Sequence, residues 1–165
     1  ENKGKGFALR HGVNKATANL IIYTDIDFPY TEESFLKIYQ ALKQGNDVAL
    51  GLRDHKYYTH LPRRRVYISK LLRTLIRLLL RIPTDDTQCE LKGFNQKGKS
   101  VFLSTTINRY LFDLEFVFLS ARAKLSIEKI QVQLRPEIYL SKMNLKILLT
   151  EAGNFLRIFF RNLIN

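Results

Sequence analysis

Apolar residues fall in two rhythms along this chain. Leu20-Ile21-Ile22-Tyr23 and Val48-Ala49-Leu50-Gly51 are continuous apolar runs, the pattern of short strands buried on both faces, as in a mainly parallel sheet. Between them, Thr31-Glu32-Glu33-Ser34 followed by Phe35, Ile38, Tyr39 and Leu42 predicts a capped amphipathic helix that stops near Gly45-Asn46. Strand, helix and strand within about 30 residues make a crossover unit. Upstream, a glycine-rich turn at Gly4-Lys5-Gly6 leads into a helix marked by Phe7, Ala8, Val13 and Ala16. Downstream, the pattern predicts a short strand over Leu91 to Asn95, helices near 97–103 and 113–124, and an alternating strand from Ile127 to Leu134. From Leu140 onward it reads as helix again.

Charge changes this picture at one segment. The chain carries 27 Lys and Arg against 15 Asp and Glu, a net charge of +12, which favours a polyanionic partner: nucleic acid, anionic lipid headgroups or phosphorylated substrates. Residues 63 to 82 hold seven basic and no acidic side chains, with Lys70, Arg73, Arg77 and Arg81 recurring at helical spacing beside a leucine-rich face. Such a stripe suits lipid headgroups or is the solvated face of a surface helix. Nucleic acid is disfavoured, because no helix-turn-helix, RNA-recognition motif or Cys/His finger is present.

Length and composition bound the rest. At 165 residues and 45% hydrophobic, the chain is one folded domain or part of one, not a disordered or low-complexity segment. Cys89 is its only cysteine and its three histidines are scattered, so neither an internal disulfide nor a zinc spacing is available. No apolar run is long enough to span a bilayer. The only methionine is Met143, so Glu1 is read as following a missing segment.

The candidate chemistry sits after the first strand. Asp25 and Asp27 flank one residue at its carboxyl end, where both carboxylates can reach the ligand-binding edge of an open α/β sheet. Two hard oxygen donors there suit Mg2+ or Mn2+ carrying a diphosphate; the alternative is a turn and a helix cap. Lys5 and Arg10, around the Gly-Lys-Gly segment, would bring cations towards phosphate at a helix N-terminus.

These pieces occur together and in order. The stretches NKGKGFALRHGVNKA, IIYTDID, DVALGLRD, RRRVYISKLLRTLIRLLL, DDTQCELKGFN, RYLFDLEFVFLSARAKLSIEKIQVQL and LSKMNLKILL cover nearly the whole chain. Together they resemble the dolichol-phosphate/polyprenyl-phosphate mannosyltransferase-like branch of family 2 glycosyltransferases. The resemblance implies a GT-A fold, a Rossmann-like three-layer α/β domain with a mainly parallel sheet that binds a nucleotide diphosphate sugar and a divalent cation. It places residues 1–140 in the later part of that domain and 141–165 in an amphipathic helical tail. The family's opening strand and its base- and ribose-binding segments are missing before Glu1, so an N-terminally truncated domain is expected.

By the same resemblance Asp25 and Asp27 bind metal and diphosphate, and Lys5, Arg10, Arg53 and Arg64 contact phosphate. Asp86 lies in an acceptor-site loop, and Asp113 and Glu115 match paired acids at the start of a helix. Two departures stand out. Glu90 replaces a glycine common in the family and would crowd the acceptor pocket or offer a base, and Pro29 stands where some members place a third metal ligand. The implied activity is inverting transfer of a sugar to a polyprenyl or dolichyl phosphate, with Asp86 or Glu90 as base if the acceptor is a hydroxyl. The basic helix and the apolar tail suit peripheral docking at the cytoplasmic face of a membrane; the tail alternatively covers the core or a homo-oligomer interface. A non-catalytic fragment or a basic membrane-binding module is the alternative reading.

Overall fold

The computed structural model describes residues 1–53, 74, 76–84, 86, 87, 89–109, 111–135, 153–156 and 158–160. Among these, a four-stranded sheet forms from β1 (Ile21–Tyr23), β2 (Val48–Arg53), β3 (Lys92–Phe94) and β4 (Ile127–Val132), in the order β1-β3-β2-β4. The helices are α1 (Lys5–Lys15), α2 (Glu32–Lys43), α3 (Gln96–Leu103) and α4 (Phe112–Arg122). Three strands share one direction, as expected for a mainly parallel sheet. β3 runs against them, so it pairs antiparallel with both β1 and β2, while β2 and β4 pair in parallel from Val48↔Ile127 to Arg53↔Val132.

Alternation along the strands creates two cores and three layers. Tyr23, Val48, Leu50 and Phe94 face one way, into a cluster with Phe102, Phe112, Phe116 and Phe118 from α3 and α4. Ala49, Leu91 and Val132 face the other way, onto Ile38, Ala41 and Leu42 of α2. β1 and β2 read as unbroken apolar runs because both of their faces are covered. The aromatic cluster is tight: Phe94 stacks on Phe102 at 5.1 Å between ring centroids, and Phe116 meets Phe102 edge-on at 5.1 Å. On the α2 side, Gly93 is where the helix comes closest, since a Cβ there would lie 2.8 Å from a Leu42 methyl.

Local chemistry fixes the helix ends. The Thr31 hydroxyl accepts from the Ser34 N–H, Glu32 and Glu33 occupy the positive first turn of α2, and Gly45 closes its C-terminus at φ 99°. The Asn95 side chain accepts from the N–H groups of Lys97 and Gly98 and donates to Asp47, whose carboxylate also takes the Ser126 N–H. These bonds pin the entry of α3 and the starts of β2 and β4 together. In the tail, Ile158 is buried in the α3/α4 cluster and Phe155 and Phe159 pack against it, while Leu156 and Phe160 face solvent. The boundary at 140/141, Arg64, Lys70 and Arg73 lie outside the described residues.

Candidate active site

The carboxyl ends of β1 and β2 and the start of β3 share one rim of the sheet, because β3 runs in reverse. Asp25 follows β1 by two residues, Arg53 ends β2, and Lys92 opens β3 just after Glu90. α1 adds Lys5 from the opposite layer. Its N-cap Gly4 adopts φ 96°, and Gly6 packs so closely that an added Cβ would meet the Ile107 carbonyl at 2.7 Å and Phe112 Cβ at 2.8 Å. The Gly-Lys-Gly segment is therefore the start of a helix pressed against the chain before α4, and this aims Lys5 at the rim. The Gly6 N–H is already committed to Asn108 O at 2.9 Å.

Lys5 bridges two acids. Its ammonium pairs with Asp25 Oδ1 and lies 3.5 Å from Glu90 Oε1. Half-exposed ion pairs contribute about 0–1 kcal/mol, too little for stability to account for gathering two carboxylates. Burial and a hydrogen bond to Asp25 push the Glu90 carboxyl up to about 7. Burial would raise Asp25 as well, but the hydrogen bond from Glu90 and the Lys5 ammonium outweigh it and hold Asp25 below the usual carboxylate range. Burial would likewise lower Lys5, yet its bond to Asp25 and the charges of Glu90, Asp25 and Asp113 raise it.

Asp86 and Arg53 form a second pair. Arg53 Nε and Nη2 reach Asp86 Oδ2 and Oδ1 at 3.0 and 2.5 Å, and the Arg53 N–H adds a bond of 2.9 Å. Burial would raise the Asp86 carboxyl; these bonds and the guanidinium charge overcome that and lower it. Asp86 is thus an anchored anion, a weaker base than Glu90. Arg10 does not join the group. Five residues along α1 turn it roughly 140° from Lys5, and its guanidinium bonds Thr105 Oγ1, Ile107 O and Asn108 Oδ1.

Asp27 is exposed, and it is followed by Phe28 in the left-handed region at φ 46°. Arg135 clamps this turn, stacking 5.0 Å from the Phe28 ring while its N–H and Nε reach Pro29 O and Tyr30 O. Beneath the rim, Lys92 Nζ contacts Asp113 Oδ1 at 2.8 Å and the Cys89 carbonyl, and the Tyr23 hydroxyl donates to the same Asp113 oxygen at 2.6 Å. Glu115 instead caps the loop before α4, accepting from the N–H groups of Thr106 and Ile107 at 2.8 Å each. Of this supporting set, Tyr30 and Arg135 carry no motif, while Tyr23 and Lys92 lie inside the IIYTDID and DDTQCELKGFN stretches with no role expected of them. A lone lysine inside the apolar Leu91-Lys92-Gly93-Phe94 run was the one signal available.

The donors fit a hard divalent cation. Asp25 is held ionised, Asp27 is open to solvent, and the intervening strand end leaves Thr24 Oγ1 buried without a hydrogen-bond partner among the described residues. No three His, Cys, Asp or Glu side chains gather as metal ligands among the described residues. The shallow groove lined by Arg81, Ile82, Pro83, Ala121, Leu125 and Ile127 opens at the amino end of β4, the opposite rim.

Residues 1–102 match the family model described as glycosyl transferase family 2. The chain belongs to that family. As a family 2 glycosyl transferase it is 28% identical over 143 residues to the dolichyl-phosphate beta-glucosyltransferase of Drosophila melanogaster, covering 81% of this chain and 44% of that protein. It is 29% identical over 172 residues to a dolichyl-phosphate beta-glucosyltransferase of Trichomonas vaginalis, covering 95% and 50%. The family 2 chain thus spans about half the length of the curated relatives it matches. Its fold is similar to that of glucosyl-3-phosphoglycerate synthase from Mycobacterium tuberculosis with uridine diphosphate bound, at a TM-score of 0.65 and 12% identity over 98% of this chain and 55% of that one. The expected α/β GT-A architecture is the one found.

Proposed function

We propose that this chain carries the transfer site of an inverting glucosyltransferase that moves glucose from a nucleotide diphosphate sugar to dolichyl or polyprenyl phosphate. The observation that carries the reading is the convergence of Lys5, Asp25 and Glu90 on one rim of a family 2 domain. The names of the relatives support the acceptor and the sugar. Asp25 and Asp27 would hold Mg2+ or Mn2+, which when bound neutralises the charge growing on the departing diphosphate. Lys5, with Arg53 at the neighbouring strand end and Arg64 beyond the described residues, supplies positive charge for the phosphates. The acceptor phosphate oxygen is already anionic, so it attacks the anomeric carbon as the bond to the diphosphate breaks, and positioning matters more than base catalysis. Glu90 faces this acceptor side; Asp86, with both oxygens on Arg53, holds that guanidinium in place.

No helix among the described residues is long and apolar enough to cross a membrane. The exposed side chains of Leu78, Leu79, Leu156 and Phe160, with Arg77 and Arg81, suit peripheral docking on an anionic surface where a lipid-linked acceptor is presented. The test is transfer itself. The chain is incubated with labelled nucleotide diphosphate glucose, Mn2+ and dolichyl phosphate in anionic liposomes, beside Asp25→Asn and Asp27→Asn. Label should enter the lipid with the unmodified chain and fall to background with either variant; equal transfer by all three chains would remove the site.

A further inference from the structure

A fully buried lysine is an unusual thing to find beneath this rim. Lys92 has no exposed surface, and its face of β3 is otherwise lined by Phe94, Phe102, Phe112 and Phe116, where a leucine or methionine would avoid the desolvation of an ammonium. What the charge does instead is tie three pieces of chain to one oxygen. Asp113 Oδ1, in the first turn of α4, takes Lys92 Nζ at 2.8 Å and the Tyr23 hydroxyl at 2.6 Å, so the end of β1 and the start of β3 are both fastened to the helix.

The ties end close to the reacting groups. Tyr23 is two residues before Asp25. Lys92 Nζ also binds the carbonyl of Cys89, and the N–H across that same peptide bond, on Glu90, donates to Tyr30 Oη at 3.2 Å. The Cys89–Glu90 peptide is therefore gripped on both sides, by the lysine below and by the loop that follows Asp27. We infer that Lys92, with Asp113 and Tyr23, is a positioning device that sets the Asp25 segment and the Glu90 segment relative to each other. The electrostatics agree with this placement: the Lys92 charge helps hold Asp25 and Asp86 low, and Asp113 helps raise Glu90. None of the three touches substrate; they act through the residues they hold.

The effect on transfer rests on the proposed function, so the test carries a second readout that does not. Lys92→Met and Asp113→Leu are combined, because either alone leaves a buried charge without its partner, whereas an apolar pair of similar volume is tolerated. The double variant leaves the Tyr23 hydroxyl and the Cys89 carbonyl without these partners, so its thermal midpoint should fall, but by less than that of Lys92→Met alone. Its kcat should fall by about a hundredfold with the donor KM little changed, as for a misplaced catalytic group. Amide exchange at Glu90 should accelerate about tenfold while the β2–β4 ladder stays protected. Unchanged kcat and unchanged Glu90 exchange would overturn the inference. If the double variant does not fold, Tyr23→Phe takes its place and should move both readouts the same way by less; no movement in either is the overturning result. Absence of transfer by the unmodified chain counts against the proposed function, and the Glu90 exchange then decides the positioning role by itself.

Discussion

Arg53 and Asp86 meet three times: two guanidinium nitrogens and the backbone N–H of Arg53 all reach the one carboxylate. The pair joins the last residue of β2 to the segment that returns towards β3. Replacing Asp86 by Ala removes charge-assisted bonds and should cost about 2–3 kcal/mol in denaturant unfolding. The pH dependence follows from the lowered carboxyl. A depressed native value means that this stabilisation is complete above the ordinary Asp range, near pH 4, and is lost as pH falls through the native value. Asp86→Ala should therefore flatten the acid limb of a stability curve below about pH 4; an identical acid limb in both chains refutes the assignment.

Glu90 has the opposite sign. Its native carboxyl titrates at about 7, above an unfolded value near 4.3, so the folded chain binds the extra proton and this group weakens folding as pH rises between them. Because the side chain is partly exposed, the effect is no more than about 1 kcal/mol. Glu90→Gln should raise the thermal midpoint at pH 8 and leave it nearly unchanged at pH 4, which calorimetry at the two values will show.

Gly6→Ala should loosen the α1 contact. The new Cβ would press on the Ile107 carbonyl and Phe112 together, neither of which is a flexible tip. Overpacking of this kind costs about 1–3 kcal/mol, and the relief available is for α1 to lift, taking Lys5 from Asp25. Denaturant unfolding measures the first effect. A rise of the Asp25 carboxyl as its Lys5 partner leaves, followed by carboxyl NMR titration, reports the second.

Sedimentation with anionic liposomes tests membrane docking. The chain should pellet with vesicles containing acidic lipid and remain in solution with neutral ones, and replacing Arg73, Arg77 and Arg81 by Gln should abolish the difference. Retained binding by the triple variant would leave the exposed apolar residues as the only support for docking.

The elements set by local chemistry were legible before the structure. β1, α2 and β2 follow from unbroken apolar runs and from Thr31 and Gly45 at the helix ends, and each was placed within a residue or two. The direction of β3 was not legible, because three residues carry no record of which neighbour they face. Of the site, Asp25, Glu90 and Lys5 were named and are brought together. Arg10 carried the right charge, but helical geometry turns it towards the loop at 105–108. Pairings such as Arg53–Asp86 and Lys92–Asp113 join residues far apart in sequence, and no periodicity announces a partner across that distance.

The reversed direction of β3 has one more consequence. Chain leaving the sheet after Arg53 comes back at Lys92 on the same rim, and its two ends are stitched by the Gly51 N–H to Leu91 O bond and by Arg53 to Asp86. An excursion closed at its base in this way can change length at little entropic cost and without shifting the strand register, as long as Leu80 and Ile82 keep their places in the α3/α4 cluster. The connection between Arg53 and Leu91 is thus set apart from the strand register, and its length can change while β1, β2 and β3 keep their pairing.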